Sequence, residues 1–296
     1  MPGVLINKIS PQDFIGGQNS PLPKKVIKDD GQWISYPPKS ETQKYKSFDA
    51  WNCVSMACNN CIEFLTLGMN KKEINISDRV LAVLSGTIPG VGNYLATVAD
   101  TLCKKGFIFE EQFPTPYDIT ENDFYKPLTS EVVNSCKVNA GKFQYDWVHK
   151  NDWIEYLQYA PLQVIIRKNT HSVALIGYKL NEFWWIFDSY YEYFKQLRWD
   201  YDFNNYAVQF TPVIKQINNM EIKDNFLYKL VQGTEGKIGL GLDNRLIVNT
   251  SEQDKFNVFM EWFARNNGNV QGKIISIKLE DWEVMKKVNL KGEPLS

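Results

Sequence analysis

Between residues 51 and 67, Cys53, Met56, Ala57, Asn60, Cys61 and Phe64 recur at helical spacing, which predicts a helix with one continuous face. A capping serine opens a second predicted helix over 77–84. Gly86, Pro89, Gly90 and Gly92 make a tight loop before a third, from 94 to about 105, with Gly106 as its C-cap. Residues 107–145 show no sustained period and are expected to be irregular. A short helix near 151–157 leads into a strand at 161–167, and apolar, aromatic runs predict strands at 171–178, 182–187 and 206–211. Helices first and strands second predict an α+β fold with a cleft between the two parts.

The two ends read differently. Residues 1–46 are rich in Pro, Gly, Lys and Ser, and Pro21-Leu22-Pro23 and Pro37-Pro38 favour extended backbone, so a strap over the domain surface is expected. After about residue 215 the pattern restarts. Short strands at 226–231, 237–242 and 245–248 form a predicted meander, with Asp243-Asn244 as a hairpin turn. A helix at 254–265 and a strand at 273–279 follow. The expected organisation is a main domain over 1–214 and a small β-rich accessory domain over 215–296, with Trp262 and Trp282 in its core.

Charge narrows the partners. The 33 basic and 34 acidic residues nearly cancel to −1, and no long basic tract occurs, so neither nucleic acid nor an anionic membrane is implied. Hydrophobic residues at 44% exclude a disordered chain. The first residues lack the apolar core of a signal peptide, and no 18-residue apolar run is present. Five cysteines, an odd and unevenly spaced set, read as reduced thiols in a cytosol-like compartment.

The chemistry concentrates on three residues. Cys53 stands where a polar turn runs into a helix, and the positive end of a helix dipole favours a thiolate there. His171, one of only two histidines, opens an apolar strand 17 residues before Asp188, so neighbouring antiparallel strands can bring the two together. His149 reads as a solvated loop residue. Taken singly, Cys53 is a small core residue and His171 a satisfied core histidine. Taken in this order, they read as nucleophile, base and orienting carboxylate at the rim of an open groove. Cys58-Asn59-Asn60-Cys61 lies mid-helix without a second pair, and the Gly86–Gly92 loop lacks the Lys-Ser/Thr of a phosphate loop. No cofactor or metal is implied.

The segment Cys53-Val54-Ser55-Met56-Ala57-Cys58-Asn59-Asn60-Cys61-Ile62-Glu63 resembles the catalytic helix of papain-like cysteine peptidases, where a Glu follows the nucleophile ten positions on. Leu84-Ser85-Gly86, Gly92-Asn93-Tyr94, the stretch 105–114, His171-Ser172-Val173-Ala174-Leu175-Ile176-Gly177-Tyr178 and Trp185-Ile186-Phe187-Asp188-Ser189-Tyr190 are similar to further family segments in the same order, over about residues 30–212. The resemblance implies a papain-like fold of a helical half and an antiparallel β half. It also implies attack by Cys53 on an amide carbonyl, a thioester acyl-enzyme, and hydrolysis assisted by His171. It puts Asp188 in place of the orienting Asn, and Tyr190 in place of the Trp that shields it. Gly90, Gly92, Asn93 and Tyr94 would wall the substrate groove on one side and the segment before His171 on the other.

Departures from the family pattern qualify the chemistry. Asn52 and Val54 flank the nucleophile, and Ser47 stands where the oxyanion-hole Gln is usual, leaving Gln43 as the candidate donor beside the Cys53 amide. The 52 residues before Cys53 leave no room for a separate inhibitory prodomain, so a mature-form peptidase of a bacterium or its phage is expected. Its location would be cytoplasmic, in host cytoplasm or with the virion. Its partner is expected to be a peptide or protein substrate, with the accessory domain binding another protein or a cell-wall or virion component. Two other readings remain: hydrolysis of peptidoglycan peptide or amide bonds, and a papain-fold binding or virion protein with weakened turnover.

Overall fold

In the computed structural model, residues 3–10, 13–18, 20–23, 25–166 and 170–213 are described, together with the backbone of 239–240 and 246–247. Elements are numbered in chain order. Helix α1, Cys53–Asn70, is buried on every face from Cys53 to Leu65, which makes it a central helix and not a surface one. It ends at Lys71, left-handed at φ 54°, whose N–H reaches the Leu67 carbonyl. Helix α2, Asp78–Leu84, is capped by Ser77, whose hydroxyl accepts from the Val80 amide. Helix α3, Leu95–Lys105, stops at Gly106, whose φ of +84° and contact with the Cys136 carbonyl leave no space for a Cβ.

The second part is a six-stranded antiparallel sheet. Its strands are β3 (Phe143–His149), β4 (Leu162–Ile166), β5 (His171–Lys179), β6 (Phe183–Phe187), β7 (Phe194–Arg198) and β8 (Tyr206–Pro212), in the order β3-β8-β4-β5-β6-β7. The α+β class expected from the sequence is therefore the one found. β4 is wholly buried, β5 is buried from His171 to Gly177, and α1 lies against both. This reads in the sequence as continuous apolar runs without alternation. Phe64 of α1 meets Phe187 of β6 edge-on at 5.3 Å, joining the two parts through one aromatic contact.

Several elements differ from the sequence expectation. The stretch 107–145 holds short helices α4 (Glu121–Phe124) and α5 (Ser130–Cys136) and the start of β3. β3 and β7 are additions to the sequence expectation: both are sheet edges with mostly half-buried or exposed residues, β7 with only Phe194 and Leu197 apolar, whereas Phe143, Tyr145 and Trp147 of β3 do alternate with polar residues. His149 ends β3, half-buried against Tyr206, and does not sit in a solvated loop. The segment before residue 46 is more than a surface strap. Trp33 is fully buried, its indole N–H donating to Leu157 O at 2.7 Å and its amide to Ile176 O at 2.8 Å. Strand β1 (Val4–Leu5) pairs in parallel with β2 (Asn93–Tyr94).

The chain divides into two compact units, Met1–Val213 and Ile214–Ser296. In the second, β9 (Gly239–Leu240) pairs antiparallel with β10 (Leu246–Ile247), within the two runs read as strands. The Asp243-Asn244 turn, the elements expected at 226–231, 254–265 and 273–279, and both tryptophans lie outside the described residues.

Replacing Phe64 by Ala opens a void at the junction of α1 and β6 and is expected to cost about 3–5 kcal/mol. A urea unfolding midpoint equal to wild type would show that this contact does not hold the two parts together.

Candidate active site

The approach to the thiol is shaped by one turn. Asp49 Oδ1 accepts the Trp51 amide at 3.0 Å and holds Trp51 at φ 52°, a left-handed backbone that a tryptophan adopts only at some cost. The chain then reverses into α1, with Cys53 as its first helical residue and Asn52 as an N-cap without a side-chain hydrogen bond. Both side-chain polar atoms of Asn52 are buried and make no hydrogen bond among the described residues. Gln163 of β4 staples the start of α1 to β5, its amide donating to Val54 O at 2.8 Å and to Ser172 Oγ at 3.1 Å. That staple puts Cys53 beside the first residues of β5.

His171 and Asp188 meet as the strand pairing requires. β5 and β6 are antiparallel neighbours, with Ala174 opposite Phe187. His171 Nε2 lies 2.6 Å from Asp188 Oδ1, both side chains almost fully buried. The second carboxylate oxygen takes Lys195 Nζ at 2.8 Å, and the Tyr190 amide donates to Oδ1 at 3.2 Å. Burial works against the charged carboxylate, but hydrogen bonds and charge from His171 and then Lys195 outweigh it, and the pKa falls to about 2. The Tyr190 ring lies over His171 at 5.2 Å, covering the imidazole as a shield. Lys195 escaped the sequence reading because it stands on β7, an edge strand with no sustained apolar signal.

The sulfur is not at the rim of an open groove. Cys53 is 0% exposed, and its thiol donates to the Gly3 carbonyl at 3.2 Å. The Gly3 amide in turn donates to Thr170 O, the residue before His171, at 2.9 Å. Burial pushes the thiol up to about 12, against hydrogen bonding from the Ser172 and Val54 backbone that favours the thiolate; Asp49 and Asp188 raise it further. The helix N-terminus is in place, but desolvation outweighs it, so the thiolate expected from the sequence does not form in this arrangement. Cys53 thus meets the Ser172 backbone directly and Thr170 through Gly3, the residues on either side of His171. Among the described residues no hydrogen bond joins it to the imidazole, because its proton is committed to Gly3.

Gln43 sits in a closed network. Its amide nitrogen donates to Asp49 Oδ1 at 2.8 Å and to the Tyr190 hydroxyl at 2.7 Å, and its carbonyl accepts from Ser189 Oγ at 2.7 Å. The Tyr190 hydroxyl donates to Asp49 Oδ2 at 2.5 Å. Both amide hydrogens expected for an oxyanion are therefore engaged by Asp49 and Tyr190, two partners whose spacing gave no sequence signal. On the other wall, Gly90 is exposed with φ +73° and Gly92 is buried with φ +100°. The Asn93 side chain turns inward, donating to Ser85 O, Ser85 Oγ and Thr87 Oγ1 at 3.1–3.2 Å, and locks the glycine loop. Only its backbone faces the groove, pairing with Val4, while Tyr94 pairs with Leu5 and stays exposed. Glu63, ten residues after Cys53, is a structural group: it accepts the Ile76 amide at 2.6 Å, and burial pushes its carboxyl well above the usual range. Cys58 and Cys61 are buried in α1. No described helix is long and apolar enough to cross a membrane.

No family model matches the chain, and no curated protein matches it. Similar solved structures include digestive procathepsin L2 proteinase of Tenebrio molitor larval midgut, at 11% identity and TM-score 0.49, over 71% of this chain and 77% of that one. The Amb a 11 cysteine protease of ragweed pollen in its proform is similar at 13% identity and TM-score 0.49, over 64% and 67% of the two chains. Recombinant stem bromelain precursor is similar at 13% identity and TM-score 0.48, over 62% and 70%. At these values the assignment of chemistry rests on the geometry of this chain.

The depressed Asp188 pKa carries a pH signature. Its charged form stabilises the fold above the ordinary aspartate value of 3.8, and that contribution, about 2 kcal/mol, is lost as pH falls toward about 2. Asp188→Asn is expected to lower the unfolding midpoint at neutral pH and to flatten its decline between pH 4 and 2. Parallel acid limbs for the two proteins would contradict the pairing.

Proposed function

We propose that the chain is a papain-like cysteine peptidase, in which Cys53 is the nucleophile, His171 the general base and acid, and Asp188 the group that orients the imidazole. The observation that carries this reading is the Cys53 sulfur bonded to Gly3, whose amide bonds the residue before a histidine that is itself held 2.6 Å from a buried carboxylate. Asp188 bonds Nε2, which leaves Nδ1 as the nitrogen for the thiol proton.

In this mechanism a peptide replaces Gly3 in the groove and the thiol proton passes to His171. The thiolate then attacks the peptide carbonyl carbon. The oxyanion that forms is met by the Cys53 amide at the start of α1. Collapse breaks the C–N bond, His171 returns its proton to the leaving amine, and a thioester remains. Water, giving its proton to His171, hydrolyses the thioester and frees the thiol. Gln43 serves as a second oxyanion donor once an amide hydrogen is released from Asp49 or Tyr190. Asp188 stays ionised throughout, consistent with its low pKa and its Lys195 partner.

A second reading is a papain-fold binding protein with weakened turnover, favoured by the sealed thiol and by the engaged Gln43 amide. Turnover of a fluorogenic peptide mixture decides between them. The peptidase reading expects hydrolysis to be lost with Cys53→Ala and to fall by about 10³-fold or more with His171→Ala, the scale of removing a base that acts with its nucleophile. No hydrolysis by wild type after proteolytic or acid opening of the strap, with Cys53 still labelled by iodoacetamide, would favour the binding protein.

A further inference from the structure

The strap does more than cover the thiol; it shows what the groove accepts. Gly3 presents its carbonyl to Cys53 and its amide to Thr170 O, so one residue bridges the two walls through backbone alone. A Cβ on Gly3 would stand 3.0 Å from Cys53 Sγ, tighter than carbon normally approaches sulfur, with Thr170 O at 3.7 Å and the Trp51 ring at 4.0 Å around it. Trp51 is itself fixed by Asp49, and Cys53 by the first turn of α1, so this wall has little room to yield. Opposite, Gly92 presses on the same residue: a Cβ there would sit 2.0 Å from Gly3 O. The slot between Gly92 and Cys53 is one peptide backbone thick.

The residues after Gly3 add a second requirement. Val4, paired with Asn93, is 2% exposed and joins the main hydrophobic core, whereas Leu5 is half-buried and Ile6 is 42% exposed. Asn7 Oδ1 accepts the Ala96 amide in the first turn of α3, supplying a cap that Tyr94 does not. Selection therefore falls on two positions, a glycine and the apolar residue after it.

We propose that the groove around Cys53 is selective for extended peptide segments that set a glycine against the thiol and an apolar residue directly after it, and that Gly3–Leu5 is the chain's own ligand of this class. The proposal deepens the peptidase reading, resting on the premise that this groove is where a peptide binds. The Cys53 sulfur, with Thr170 O and the Trp51 ring around it, sets the glycine requirement by crowding a side chain, and Gly92, lacking one, leaves room for the ligand's backbone. The backbone of Asn93 and Tyr94 supplies parallel pairing. An external peptide and the strap compete for one site, so occupancy by either protects the sulfur.

The test reads thiol protection, which needs no turnover. Iodoacetamide labelling of Cys53 in the full chain, followed by mass spectrometry, is expected to be slow in wild type. In Gly3→Leu it should be faster by about tenfold or more, as the side chain expels the strap, with labelling of half-buried Cys103 unchanged. A synthetic peptide Met-Pro-Gly-Val-Leu-Ile-Asn-Lys added to Gly3→Leu should restore protection. The same peptide with Leu in place of Gly, or Asp in place of Val, should not. Equal labelling of wild type and Gly3→Leu, or equal protection by the glycine and leucine peptides, overturns the proposal. Should Gly3→Leu unfold the chain and expose all five cysteines alike, Gly3→Ala gives the same comparison: labelling faster than wild type supports the slot, and an unchanged rate overturns it. Glycine-selective protection without hydrolysis would sink the peptidase reading alone; hydrolysis indifferent to the glycine would sink this one alone.

Discussion

Asp188 has no exposed surface, yet its carboxylate is kept charged, with His171, the Tyr190 amide and Lys195 hydrogen-bonded to it. Desolvating a lone carboxylate at that depth would protonate it or unfold its surroundings. His171 stands on β5, Lys195 on β7 and the Tyr190 amide in the turn after β6, so these contacts to the charge form only when β5, β6 and β7 are in register. The same register fixes His171 in one orientation. A single ion cluster thus both compensates the buried charge and orients His171, and Lys195 is part of it.

On the other side of the groove the problem is one of access. Helix α1 enters the core on every face, which fixes Cys53 firmly and also removes it from water. A thiol at a helix N-terminus gains about 0.3–1 kcal/mol of preference for its charged form, whereas full burial costs several times that. The Gly3 carbonyl accepts the hydrogen bond of the thiol. His171 and Asp188 are therefore aligned while the Cys53 thiol is held neutral. On the peptidase reading proposed above, displacing Gly3 rehydrates the sulfur and frees its proton together.

Much of this was legible in the chain because it lies in contiguous runs. The continuous apolar stretches of β4 and β5, the capping Ser77 and the stop at Gly106 each declare an element locally. The 17-residue gap from His171 to Asp188 spans one hairpin, so their meeting follows from antiparallel pairing alone. What stayed hidden involves edges and long loops. β7 presents no sustained apolar stripe, so nothing in the sequence put Lys195 on a strand. Gln43, Asp49, Ser189 and Tyr190 come from segments about 140 residues apart, and no spacing rule ties them together.

The amino-acid order by itself determined the fold class, the cysteine at a helix start, the histidine strand and its carboxylate, since these rest on helical and strand periods and on residue type. Only tertiary structure decided that Cys53 is neutral and sealed, that Gln43's amide is spent, and that Gly3 occupies the slot. Those outcomes depend on desolvation and on which donors reach which acceptors across the groove. Such quantities have no value until distant segments are packed against one another.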